Sequence, residues 1–230
     1  MSAQAPVLTL DGPGGAGKGT LASALACELG WRLLDSGALY RLVGLIALRE
    51  DLDADNAADC AEAAEAARGL DLVFEPDAGE GQRVLLAGED VTEVIRSDAI
   101  SDAASKWAVQ SAIRQALLSR QRDFASPPGL IADGRDMGTI VFPDADLKIY
   151  VTASAEERAS RRHAQLSGSG VDANLERIYR EILERDARDA SRVVAPLKPA
   201  VDAHVIDTTG ETVSASLERV RGLVRENGWI

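Results

Sequence analysis

Lysine is scarce in this sequence. Of 25 basic residues only Lys18, Lys106, Lys148 and Lys198 are lysines, and the other 21 are arginines. Positive charge as a whole is outweighed, because 37 Asp plus Glu leave a formal net charge of -12. General binders of nucleic acid or of anionic membrane need net positive potential, so both classes are excluded and any phosphate binding must be local. Cysteine is nearly absent: Cys27 and Cys60 support neither a disulfide framework nor a zinc site, and in their Ala-rich stretches they read as small apolar helix residues. No run approaches roughly 18 consecutive apolar residues, which excludes a transmembrane helix. Residues 1–6 also lack the basic-then-apolar pattern of a secretory signal. A soluble, cytoplasmic protein is expected.

What is present suits a globular chain. A hydrophobic share of 46% over 230 residues fits one large domain with insertions, or two small ones, at roughly 150 residues per domain. Residues 7–10 (VLTL) form a β-prone run that stops at a glycine cluster, behind which Leu21, Leu25 and Leu29 mark one face of a helix. Residues 31–34 again look like a strand. Asp35, Ser36 and Gly37 then offer capping residues for a helix carrying Leu39, Leu42, Val43, Ile46 and Ala47. Strand, helix, strand, helix at this spacing predicts an α/β sheet of parallel units. An Ala-rich helix at 57–68 leads into a hairpin, with alternation in Leu70, Leu72 and Phe74, a turn at 76–81 and a strand at 83–87. Helical periodicity resumes over about 98–124. Residues 130–132, 147–151 and 203–206 read as further core strands, and the charge-dense stretch 155–192 holds eight of the arginines.

The strongest motif is Gly12-Pro13-Gly14-Gly15-Ala16-Gly17-Lys18-Gly19-Thr20, a G-x-x-x-x-G-K loop between a strand and a helix. Glycines let backbone N–H groups turn around phosphate oxygens, and the helix N-terminus adds positive partial charge. Lys18, expected to be exposed on this loop, can reach the β and γ phosphates of ATP, and Thr20 can approach Mg²⁺. Residue frequencies of about 5–9% put chance occurrence below roughly one in a thousand, so the loop is read as an ATP phosphate site. Gly19 stands between Lys18 and Thr20, the G-K-G-T variant found in nucleoside monophosphate kinases. No Asn-Lys-x-Asp base-reading motif of a GTPase exists. An apolar strand ending in a carboxylate for metal and water, as a motor ATPase requires, has one candidate, residues 130–133, and Gly134-Arg135 follow it. Downstream arginines instead suit a second phosphorylated substrate.

Further runs are distinctive: residues 34–41 (LDSGALYR), 132–139 (ADGRDMGT), 185–189 (RDARD) and 192–197 (RVVAPL). On a helix Arg185, Arg188, Asp189 and Arg192 share one face. Tyr40 and Arg41 follow a helix start at the C-terminal end of a strand, the edge where doubly wound sheets bind ligands. In this order, with the G-K-G-T loop, these runs resemble the bacterial cytidylate kinases over nearly the whole chain, from about Pro6 to the C-terminal helix.

The resemblance implies a three-layer α/β/α P-loop kinase with a parallel five-stranded core sheet, an inserted small β-containing acceptor subdomain and a helical lid. Residues 1–50, 101–154 and 193–230 would form the core, 51–100 the acceptor insert, and 155–192 the lid with its Arg-rich helix. It implies that Arg41, Arg135 and Arg192 grip the acceptor phosphate of CMP or dCMP and that Arg185 and Asp189 reach the ribose hydroxyls. Ser105, Arg114 and Asp136 would read the cytosine edge, with Ser36 and Tyr40 lining the pocket. Arg158, Arg161 and Arg162 become candidates to cover the ATP phosphates, and Lys18, Arg135, Arg192 and Arg161 to act in transfer. Cytosine chemistry agrees: its 4-amino group donates to a carboxylate, while N3 and O2 accept from Arg and Ser. ATP with Mg²⁺ and CMP or dCMP are the expected partners of a monomer, without nucleic acid or membrane. A P-loop kinase for UMP, AMP or shikimate, or a nucleotide-binding switch, are the alternative readings.

Overall fold

In the computed structural model, which describes residues 5–76, 82–168, 170 and 172–230, the apolar run before the glycine cluster is strand β1 (Val7–Asp11), buried at every position. It leads through the loop into α1 (Lys18–Leu29) and then β2 (Arg32–Asp35). Asp35 caps α2 (Ser36–Arg49), its Oδ1 accepting the Ala38 N–H at 3.0 Å. After α3 (Ala57–Arg68) the chain forms β3 (Leu72–Pro76), β4 (Gln82–Leu86) and a two-residue β5 (Glu89–Asp90), an antiparallel set one strand larger than the expected hairpin. Most of the expected turn, residues 77–81, lies outside the described residues. Next come α4 (Asp98–Trp107), α5 (Ser111–Asp123), β6 (Leu130–Gly134), a π-type turn (Met137–Val141) and β7 (Leu147–Thr152). Helices α6 (Ala155–Gly168) and α7 (Leu175–Ser191), strand β8 (His204–Asp207) and helix α8 (Val213–Glu226) complete the order.

The core sheet runs β2-β6-β1-β7-β8, with β1 parallel to both β6 and β7 and β8 parallel to β7. A parallel sheet flanked by helices buries both faces, which is why its strands read as near-continuous apolar runs. Leu8, Leu10, Ile131, Ile149 and Val151 pack with Leu21 and Leu25 of α1 and Val220 and Val224 of α8. Register sets the site. Asp11 lies opposite both Gly134 and Tyr150, so β1 and β6 finish level beside the glycine loop while β7 runs two residues further, to Thr152. Lys148, the one charge inside β7, is buried but donates to Asp202 (2.8 Å) and to the Pro143 carbonyl (2.5 Å).

Contacts divide the chain into two units, Met1–Leu33 with Ala125–Ile230, and Leu34–Phe124. The second begins before and ends after the expected 51–100 insert, because α2 packs on α4 and α3 on α5. A glycine permits the first contact: a Cβ on Gly44 would stand 2.9 Å from the Ala104 nitrogen. The stretch of about 98–124, where helical periodicity is expected, is helical and divides into two helices. The break carries neither Gly nor Pro. Gln110 turns extended there, and its side-chain amide donates to the Ala54 carbonyl at 2.8 Å.

Candidate active site

The glycine loop leaves β1 where no side chain fits. A Cβ on Gly12 (φ 143°) would stand 1.9 Å from the Val151 carbonyl oxygen, so only glycine can pass the end of β7. Gly17, at φ 93°, turns the chain into α1. Lys18 then points back across the loop, its Nζ donating to the Pro13 carbonyl at 2.9 Å and lying 4.0 Å from Asp133 Oδ1. Far from being exposed, it is 5% accessible. The long stem folds under the loop instead of into solvent. Burial, with the Arg135 guanidinium adding repulsion, lowers its pKa to about 7. An arriving phosphate anion would favour the charged form. Thr20 is exposed on the first turn of α1.

Two carboxylates that the motif reading did not assign support this geometry. Asp11 accepts the N–H groups of Met137 and Gly138, both at 2.8 Å, and so fixes the turn after β6. Burial raises its pKa to about 7 against the opposing pull of those two hydrogen bonds. Asp133, at the end of β6, brings its Oδ2 within 3.5 Å of the point where a Gly19 Cβ would be. Its strand-end position was the available signal. Among the described residues no group of three or more His, Cys, Asp or Glu could hold a metal. The oxygens at the loop, on Thr20 and Asp133, instead fit Mg²⁺, which keeps waters and phosphate oxygens and takes one or two protein donors.

The expected acceptor arginines of the first unit converge on one buried carboxylate. Asp189, 1% accessible, gives one oxygen to Arg135 Nε (3.3 Å) and the other to Arg192 Nη2. Arg135 Nη2 comes within 3.3 Å of a Gly14 Cβ position, and the Arg185 guanidinium within 3.9 Å of it. Asp189, expected at the ribose, thus anchors two of the arginines expected at the acceptor phosphate. Asp136 is buried just before the turn that Asp11 fixes.

The arginines of α6, expected to belong to a lid, have different surroundings. Arg158 is buried and donates to the carbonyls of Ala153 (3.0 Å) and Gly14 (3.2 Å) and to both oxygens of Asp186. Arg161 donates to Glu157 (2.9 Å) and to the Thr208 carbonyl (2.6 Å), with Nη1 3.9 Å from a Gly17 Cβ position. Arg162 bonds Gln165 on its own helix at 3.0 Å. The Thr208 hydroxyl in turn lies 3.1 Å from both the loop carbonyl of Ala16 and the carbonyl of Thr152, its one proton serving the two. Asp186 lies inside the 185–189 run without an assigned role, and Thr208 lies in no motif, because each acts on a loop far away along the chain.

In the second unit, Ser36, Tyr40 and Arg41 lie on α2, Ser105 on α4 and Arg114 on α5. Asp35 both caps α2 and pairs with Arg41 at 2.7 Å. Arg114 sits 5.8 Å from the Tyr40 ring centre, within cation–π range. The Ser105 hydroxyl is buried with no hydrogen-bond partner among the described residues, a donor and acceptor suited to a polar ligand edge.

A family model described as cytidylate kinase matches residues 8–226. A cytidylate kinase of Shewanella loihica is 53% identical over 226 residues, covering 98% of this chain and 97% of that one. Others from Aeromonas hydrophila (54%, covering 96% and 94%) and Pseudomonas aeruginosa (51%, covering 100% and 99%) are similar along their whole length.

Proposed function

The chain belongs to the cytidylate kinase family, and from that premise we propose that it transfers the ATP γ-phosphoryl group to CMP or dCMP, giving ADP and CDP or dCDP. One observation carries the reading: Asp189 holds Arg135 and Arg192 while Arg135 leans over Gly14 of the phosphate loop. Arginines aimed at a donor loop suit a second phosphate brought in line with the first. The acceptor phosphate has a second pKa near ~6 and is largely ionised at neutral pH. No general base is required.

Transfer is then positioning and charge neutralisation. The loop N–H groups and Lys18 hold the donor phosphates, and Arg161 is assigned to them from the side of Gly17. Arg135 and Arg192 hold the acceptor phosphate, with Arg185 beside them. Thr20 and Asp133 would hold Mg²⁺, and the ion would supply charge neutralisation on the donor phosphates. Asp136 is assigned to the cytosine 4-amino group, with Ser36, Tyr40, Arg41, Ser105 and Arg114 as the second unit's acceptor residues. Residues 155–192 are assigned the closing movement that excludes water from the donor. A coupled ADP-release assay across CMP, dCMP, UMP, AMP and shikimate tests the reading. CMP and dCMP should be the efficient acceptors, and faster turnover of any of the other three would overturn it.

A further inference from the structure

A loop that binds phosphate through its N–H groups must turn its carbonyls away from the anion. Two of those carbonyls are held from outside: Ala16 by the Thr208 hydroxyl and Gly14 by Arg158 Nη1. The second contact comes from a residue of α6 that is 4% accessible. A guanidinium has five N–H donors, and Arg158 commits four to protein atoms: one to Ala153, one to Gly14 and two to Asp186 at 3.0 and 2.5 Å. With so few donors left, Arg158 is poorly placed to grip ATP directly. Its work is on the loop backbone. Asp186 fixes the plane of the guanidinium through both carboxylate oxygens, and without it the fork is free to rotate off the Gly14 carbonyl. Asp186 lies on α7 between Arg185, which leans on Gly14, and Asp189, which holds Arg135 and Arg192.

We propose that Asp186 is a positioning residue for the donor loop: through Arg158 it holds the Gly14 carbonyl outward and ties that loop to the helix that organises the acceptor arginines. The inference rests on the kinase reading for the identity of the anion, and on the contacts alone for the geometry. A mere ion pair between α6 and α7 makes a different prediction, since its loss would lower thermal stability without singling out the donor.

The test measures ADP and CMP binding separately by calorimetry, with Mg²⁺ present, well below the unfolding temperature of every variant. Asp186→Asn keeps the shape and removes the charge. It should weaken ADP by about tenfold to a hundredfold, the range for a hydrogen bond to a charged group, and CMP by less than about twofold. The KM for ATP should rise with it. Arg158→Lys keeps a cation that can pair with Asp186 but cannot also reach Gly14, so it should show the same selective loss with the pair intact. Combining the two substitutions should weaken ADP no further than either alone, because they act as one unit. Unchanged ADP affinity in both single variants, or equal losses of ADP and CMP, would overturn the proposal. If Asp186→Asn does not fold, Arg158→Lys decides by the same ADP-to-CMP comparison. Wild-type ADP binding is measured first, so a failed kinase reading appears in the wild type and a failed positioning role only in the variants.

Discussion

Lys18 and Asp11 are buried charges under the same loop, and their environments push them in opposite directions. Burial lowers the Lys18 pKa to about 7 and raises that of Asp11 to about 7. For Lys18 this sets stability against activity, because a buried ammonium waits for an anion that is absent in the unliganded protein. Lys18→Met should therefore reduce kcat by about a hundredfold or more, while thermal unfolding without nucleotide occurs at an equal or higher temperature. Retention of a tenth of wild-type turnover would remove Lys18 from the chemistry. For Asp11 the linkage sign is fixed by the raised value. Between its unfolded pKa of 3.8 and about 7 the native state binds the extra proton, so its contribution to stability is lost as pH rises through that window. The unfolding free energy of wild type minus that of Asp11→Asn should fall from pH 4 to pH 7. A flat difference would mean that the Met137 and Gly138 N–H groups keep the carboxylate ionised throughout.

Asp136 carries the sharpest statement on specificity. A carboxylate facing the cytosine amino group meets a carbonyl when uracil takes its place, with no proton between them. Asp136→Asn can present either a donor or an acceptor, so the CMP-to-UMP ratio of kcat/KM should shrink by about 1–3 kcal/mol, roughly ten- to a hundredfold. The ratio is the measurement because Arg135 is adjacent. If both values fall together at constant ratio, Asp136 supports the arginine and does not read the base.

At the scale of elements, helix spacing in the second unit depends on Gly44. Helix propensity favours Ala over Gly by about 1 kcal/mol, yet a Cβ at Gly44 would meet the backbone nitrogen of Ala104, which cannot rotate aside. Overpacking of about 1–3 kcal/mol therefore outweighs the gain. Gly44→Ala should lower the denaturation midpoint. Gly222 on α8 is the control: a Cβ there has nothing within 4 Å, so Gly222→Ala should raise the midpoint by about the propensity difference. Similar shifts in both would show that α2 and α4 part easily. The same element scale explains the break between α4 and α5. Residue types alone present 98–124 as uniformly helix-compatible, and the Gln110 amide is drawn to Ala54 only once α3 and α5 have packed.

Over the whole molecule, an acidic chain of net charge -12 gathers a local concentration of basic groups suited to phosphate. Lys18, Arg135, Arg158, Arg185 and Arg192 lie around the glycine loop and the Asp189 carboxylate, and Asp133, Asp186 and Asp189 pair with four of them while Asp11 lies buried beside Lys18. The strands and most helices were legible because parallel strands buried on both faces leave unbroken apolar runs, and helices leave a period of 3.6. The phosphate loop was legible because its glycines, Lys18 and Thr20 keep a fixed spacing within residues 12–20, and one face of α7 because Arg185, Arg188 and Asp189 keep helical spacing, with Arg192 just past the helix end. These signals come from residues close together in the chain, whose relation to one another does not depend on the rest. Only tertiary structure decided that Lys18 is buried, that Asp189 joins Arg135 to Arg192, and that Arg158 serves the loop backbone with Asp186. Arg135 and Asp189 are separated by 54 positions, and Arg158 and Gly14 by 144. No periodicity reaches that far, and such partners acquire their roles only when the sheet brings the ends of β1, β6 and β7 together.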